Sequence, residues 1–216
     1  MSFISCRRYL LDEKWAKSLI YIKPPIIDLG GVKENRRGTF QVPASLKDNW
    51  FILNSDPRLK PDYLESLPRT SLADSSFATA IITEVLEYLD SYEESISEIH
   101  RILMPDGLVI LSVPFMSPVH FDKENDKVRF TESYLKSMLL KHFEIIHFDR
   151  MGSFLSVAMD GWRSNFYLIS KPSIFQKVQM KIFRRFAKYI IKLEQIFFPS
   201  NEMANTGYWV IAKKKS

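Results

Sequence analysis

At 216 residues, 46% apolar and 25% charged, the chain has the size and balance of one water-exposed domain with a real core, and its single cysteine, Cys6, excludes a disulfide framework. No His/Cys cluster has zinc spacing, no apolar run reaches the roughly 18–20 residues of a bilayer span, and charges from Arg7 to Lys23 interrupt any secretory signal; the expected setting is cytoplasmic, with no metal. The net charge of +5 resides in one segment, since between Ile174 and Phe198 six basic residues stand against Glu194 alone, which argues against a general nucleic-acid surface.

In chain order, Pro24-Pro25 closes an N-terminal helical stretch and launches Ile26 to Leu29, a β-branched run ended by Gly30-Gly31. This pattern predicts a buried strand and a tight turn. A polar loop from Val32 to Asn49 follows, then a second apolar run, Trp50 to Leu53, closed by Asn54-Ser55-Asp56-Pro57. Ala78 to Thr83 is a third strand. Tyr92 to Met104 has helical spacing, with Ile96, Ile99 and Leu103 on one face and Glu93 and Glu94 at the start, where the helix dipole favours acids. Pro105-Asp106-Gly107 stops that helix before a fourth strand, Leu108 to Val113. Thr131 is placed to cap a helix through Leu140. Phe143 to Phe148 and Gly207 to Lys213 complete the strands. Strands alternating with helical patterns imply right-handed crossovers and a mainly parallel sheet, whose ligands bind beyond the carboxyl ends of the strands.

Two segments carry a family resemblance. Asp74-Ser-Ser-Phe-Ala-Thr-Ala-Ile-Ile-Thr-Glu-Val-Leu-Glu-Tyr-Leu89 resembles the D-x-S-F-D-x-V-x-x-x-E-V-L-E-H-L stretch of class I methyltransferases. Glu98 to Pro114 resembles their E-I-x-R-V-L-K-P-G-G-x-L-x-x-S-V-P segment. Arg129-Phe130-Thr131 is similar to the R-F-T of a subset associated with bacterial surface-polysaccharide biosynthesis. The resemblance runs from about Ile26 to Phe148 and resumes at the last strand. It implies a Rossmann-like α/β fold: a mainly parallel seven-stranded sheet with an antiparallel last strand, helices on both faces, and an inserted basic amphipathic helix near the C-terminus. The expected organisation is a single domain over 1–216, with a cofactor-binding core at 24–148, a helical elaboration at 150–205 and the last strand at 207–213.

The same resemblance implies S-adenosylmethionine as cofactor and assigns its site. Asp28, Gly30 and Gly31 form the first turn, where glycines let the backbone approach the ligand and a following helix would offer amide donors. Asn54 aligns with the acid that grips the ribose, with Asp56 two residues on as the alternative. Ser66, or Glu65 beside it, falls at the adenine position. Thr83 and Glu84 end the third strand on the same rim. Glu87 is read as a cap for nearby backbone.

Methyl transfer needs alignment and desolvation, and a base only where the acceptor is a weak nucleophile such as a sugar hydroxyl. His120 matches a histidine of the R-F-T subset and is the candidate base. Asp126 and Arg129 match subset positions, as substrate-binding residues or as a salt bridge fixing their loop. The implied activity is methyl transfer to a small-molecule or glycan acceptor, at an oxygen. Val32, Asn54, Ser66 and Ala78 depart from the family pattern, which keeps open a catalytically inactive binding or scaffold protein.

Phe175, Val178, Ile182, Phe186, Tyr189, Leu193 and Ile196 recur every three or four residues, with the basic side chains opposite. A helix over this stretch follows. It serves as a core-packing helix with a solvated face or as a peripheral contact of 174–198 with anionic lipid at the inner membrane face.

Overall fold

A computed structural model describes residues 5–34, 38–119, 124–167, 173–198 and 203–215. Pro24 and Pro25 lack the amide hydrogens a helix needs. Accordingly helix α1 (Cys6–Ser18) and its 3-10 turn (Leu19–Tyr21) end before them. The next strands are β1 (Ile26–Leu29), β2 (Trp50–Leu53) and β3 (Phe77–Thr83). Helix α2 (Tyr92–Ile102) runs directly into the long strand β4 (Leu103–Pro114), and α3 (Glu132–Leu140) precedes β5 (Phe143–Met151). An antiparallel helical pair, α4 (Phe154–Tyr167) and α5 (Ile174–Phe197), leads to β6 (Gly207–Lys214).

The described strands form one sheet in the order β2-β1-β3-β4-β6-β5. β1 to β4 are parallel, and β6 is inserted antiparallel between β4 and β5. The expected antiparallel last strand is present, but the described residues form six strands and not seven. After β2 the chain makes only isolated bridges, Leu53 with Tyr63 and Ser66 with Arg69. Pro57, Pro61 and Pro68 crowd that stretch, and a residue without an N–H cannot sustain a ladder. The polar loop expected after β1 holds no α-helix among its described residues, only a 3-10 turn at Ala44–Asn49, so among them no α-helix N-terminus offers its amides to Gly30-Gly31.

Alternation along the strands gives the sheet two apolar faces. Ile27, Leu29, Ala80, Ile82, Val109, Leu111 and Val210 point to the side covered by α2 and α3, where Ile96, Ile99, Leu135 and Met138 are buried. Ile26, Ile81, Ile110, Trp209 and Ile211 point to the side covered by α1. There Trp15 meets Trp209 edge-on at 5.3 Å and stacks on Phe40 at 4.5 Å. The indole of Trp209 donates to Ser18 Oγ at 3.0 Å. Thr131 caps α3 as its sequence position predicts, accepting from Tyr134 N.

Carboxylates fasten the helical pair to this body. Asp160 of α4 accepts from the backbone N–H groups of Cys6 and Arg7, at 2.8 and 2.9 Å, and so caps the start of α1. Glu194 of α5 in turn accepts from the amides of Ser153 and Ser156 at the start of α4, at 3.0 and 2.7 Å, and from both hydroxyls. The amino end of α1 is therefore capped by an acid of α4, and that of α4 by an acid of α5.

Candidate active site

The carboxyl ends of β1, β2 and β3 meet at one rim. β1 is followed by Gly30, whose φ of +80° is a conformation that L side chains rarely adopt. A Cβ added there would lie 2.6 Å from Val85 Cγ2. The glycine is thus required by backbone angle and by the close approach of the segment after β3. Together with Asn54 and Ser55 from the end of β2, Ser66 and Leu67, and Val85 and Leu89, it lines a narrow cleft of about 80 Å³. Leu29, Leu53, Leu67 and Leu89 make its apolar floor, with Ser55, Glu65 and Ser66 at the polar edge. The sequence-assigned Gly30, Asn54 and Ser66 thus share one cleft. Gly31 adjoins it, its carbonyl accepting from Asn54 Nδ2 at 3.0 Å.

The acids assigned to a ligand are largely engaged within the protein. Asn54 bridges two turns, since its Oδ1 also accepts from Asp56 N at 3.0 Å. Asp56 turns away from the cleft, caps the 3-10 turn at Pro57–Leu59 and pairs with Arg58. Glu65 accepts from the amide and hydroxyl of Ser71, and these bonds hold its carboxyl below the usual range. Asp28 is buried and accepts from the Trp50 indole at 3.2 Å. Thr83 pairs in register with Ser112, behind the rim.

Glu84 has a different role from the one its position suggests. It sits at φ +59°, an uncommon angle for a residue with a side chain. Its carboxylate receives Arg7 through Nε at 2.7 Å and through Nη2, and Ser112 Oγ at 2.8 Å. Arg7 Nη1 donates onward to the Thr206 carbonyl at 2.8 Å. Burial alone would raise the Glu84 carboxyl, but the charge and hydrogen bonds of Arg7 outweigh it and hold the group below the ordinary range. Arg7 is fully buried, and a Cβ on Gly207 would strike its guanidinium at 2.1 Å.

One turn on, Glu87 is completely buried, and neither carboxylate oxygen accepts a hydrogen bond from another described residue. Burial, then the neighbouring Glu84 charge, push this carboxyl well above the usual range. The expectation that its side chain caps backbone is corrected. The Glu87 main-chain carbonyl does the pinning, accepting from Lys127 N at 2.9 Å and Val128 N at 3.3 Å. Asp126 and Arg129 form a two-pronged ion pair across this loop. His120 lies outside the described residues.

Arg7, Asp160 and the buried state of Glu87 are the features sequence reasoning missed. Arg7 precedes the resemblance and carries no motif. Glu194 did have a signal, as the lone acid in a basic helix.

The family model for the methyltransferase domain matches residues 53–111, which include β3, Glu84, Glu87 and most of β4. Three solved structures align over nearly their whole length. A SAM-dependent methyltransferase from Thermotoga maritima has a TM-score of 0.58 at 14% identity, covering 97% of this chain and 91% of that one. One from Archaeoglobus fulgidus gives 0.55 at 15%, covering 96% and 94%. One from Mesorhizobium loti gives 0.55 at 14%, covering 93% and 97%. The fold is that of the class I methyltransferases. No curated protein matches the chain. In this methyltransferase fold the cleft at Gly30 lies where ligands bind open α/β sheets, outside the carboxyl ends of the strands.

Proposed function

We propose that the chain is an S-adenosylmethionine-dependent methyltransferase acting on an oxygen of a small-molecule or glycan acceptor. The observation that carries this reading is the cleft itself, a positive-φ glycine turn closed over by Val85 in a methyltransferase fold. The residues fit the adenosine half of the cofactor. Leu53, Leu67 and Leu89 offer an apolar shelf for the purine, and Ser55, Ser66 and Asn54 line the same cleft with polar groups for the ribose, beside the Gly30 turn. When bound, the cofactor supplies an electrophilic methyl group on a sulfonium.

The protein's own groups do the rest. Arg7 and Glu84 neutralise each other and fix the floor behind the cleft. Arg129, held by Asp126, orients the acceptor from the loop that Glu87 pins. His120 is the base assigned to the acceptor hydroxyl, a task to which the imidazole side chain is chemically suited. The glycan-pathway assignment is supported by Arg129-Phe130-Thr131 alone.

A second reading is favoured by a specific observation. Asn54, Asp56 and Glu65 all hydrogen-bond within the protein, as suits a scaffold that keeps the fold without turnover. Calorimetric titration with S-adenosylmethionine and S-adenosylhomocysteine separates the two. Methyl transfer requires binding that weakens at least tenfold in a folded Gly30→Ala variant. Absence of binding to either ligand at millimolar concentration assigns the scaffold role.

A further inference from the structure

The helix α5 turns the wrong side to the protein for a core-packing element. Among its described side chains the buried ones are Ile191 and Glu194. The apolar stripe read from the sequence lies about 100° or more around the helix from that line. Phe175, Val178, Ile182, Tyr189, Leu193 and Ile196 are between 49% and 72% exposed. Glu194 explains the rotation. Its carboxylate must reach the start of α4, and that contact fixes which side of α5 faces inward.

From that stripe Ile182 and Leu193, with Gln179, Phe197 and Phe198, form one wall of an open groove of about 780 Å³. Leu155, Ala158, Met159 and Trp162 of α4 form the other wall. Lys177, Lys181 and Lys192 are exposed on α5, and by sequence the same helix carries Arg184, Arg185 and Lys188.

Charge decides among the occupants of such a face. Two copies of α5 laid together would bring twelve cations against two acids, a count doubled from one helix, and like charges at a shared seam repel. A neutral partner helix would leave the basic edge unanswered. An anionic lipid surface answers both halves, taking apolar side chains below the headgroups and cations among them. No described helix is long and apolar enough to cross a membrane, so contact is in the plane of the interface.

We propose that the α4–α5 pair is a docking surface for an anionic phospholipid bilayer. The pair leaves the sheet after Met151 and returns at Gly207, which pair with each other and, through Gly207, with Pro114. That is the rim that carries Glu84, so docking holds the mouth of the site beside the lipid–water boundary. The inference does not depend on cofactor binding.

Vesicle sedimentation tests it with the full chain. Phosphatidylcholine vesicles are compared with vesicles containing about 30% phosphatidylglycerol, at low and high salt. The expected result is at least a tenfold higher bound fraction on anionic vesicles, falling with salt. Trp162 should report insertion through a blue-shifted emission, because Trp15, Trp50 and Trp209 are buried. Leu193→Asp with Ile196→Asp, both at exposed positions, should abolish binding with unchanged circular dichroism and melting temperature. Equal binding to neutral and anionic vesicles, or none to either, overturns the proposal. A concentration-dependent dimer that the same double variant returns to monomer also overturns it, and gives the face to a second copy.

Discussion

Glu87 and Glu84 lie one turn apart, and their environments drive them in opposite directions. Glu84 is ionised against Arg7, while Glu87 faces Glu84, with Arg7 and Arg129 too distant to bond it. The sign of the pH effect follows from linkage. Because the folded-state carboxyl of Glu87 is raised, its contribution to stability is complete below the unfolded pKa of roughly 4.3 and is lost as pH rises through the folded value. Glu87→Gln should therefore match the wild type in melting temperature near pH 4 and exceed it by several degrees near pH 8. Equal differences at both pH values would contradict a buried protonated acid. The same variant bears on chemistry. If His120 is the base, Glu87→Gln retains turnover while His120→Asn lowers kcat by about 10²–10⁴. Arg7 belongs to the same residue-scale account. Arg7→Met strands a buried carboxylate and should cost about 3–5 kcal/mol in urea unfolding, whereas adding Glu84→Gln should recover part of that loss.

Among the elements, the short strands were the most legible. Ile26–Leu29 and Trp50–Leu53 are bounded by Gly, Pro and Asn on the side where each ends, and such residues punctuate a chain through backbone geometry alone. β4 proved longer than its apolar run because Leu103 and Met104 already lie in the sheet. The position of α5 was also legible, and its inward face was not. Periodicity reports that one side is apolar, but a polar contact can decide which side packs. Here four donors converge on Glu194. Glu194→Ala should cost about 1–3 kcal/mol through loss of the cap and the exposure of unsatisfied amides. Hydrogen exchange should accelerate in the first turn of α4 while the sheet amides keep their protection. The candidate cleft was legible as positions sharing a rim, since Gly30, Asn54 and Ser66 line it together. The partners already taken by Asn54, Asp56 and Glu65 were not, because side-chain bonding between loops leaves no period in a sequence.

At the scale of the molecule, the two proposed sites are laid out on one sheet with little overlap. The cleft is built from β1, β2 and β3 on one side of the strand order, while the helical pair departs from β5 and β6 on the other. Their link is α1, whose start is capped by Asp160 and whose Arg7 reaches Glu84. Reversing charge at Lys177, Lys181 and Lys192 touches only exposed side chains that lack an ion pair with a described residue. That triple Lys→Glu variant should lose anionic vesicle binding while its affinity for S-adenosylmethionine stays within about twofold, a difference below 0.5 kcal/mol. Gly30→Ala should show the reverse pattern. Asp160→Ala is the informative third case, because it removes the cap that fixes α1 and with it the placement of Arg7. If α1 couples the two regions, cofactor affinity in Asp160→Ala should fall together with stability, although Asp160 lies in α4 and outside the cleft. Unchanged affinity in a destabilised Asp160→Ala protein would show that the rim holds its shape without the N-terminal helix.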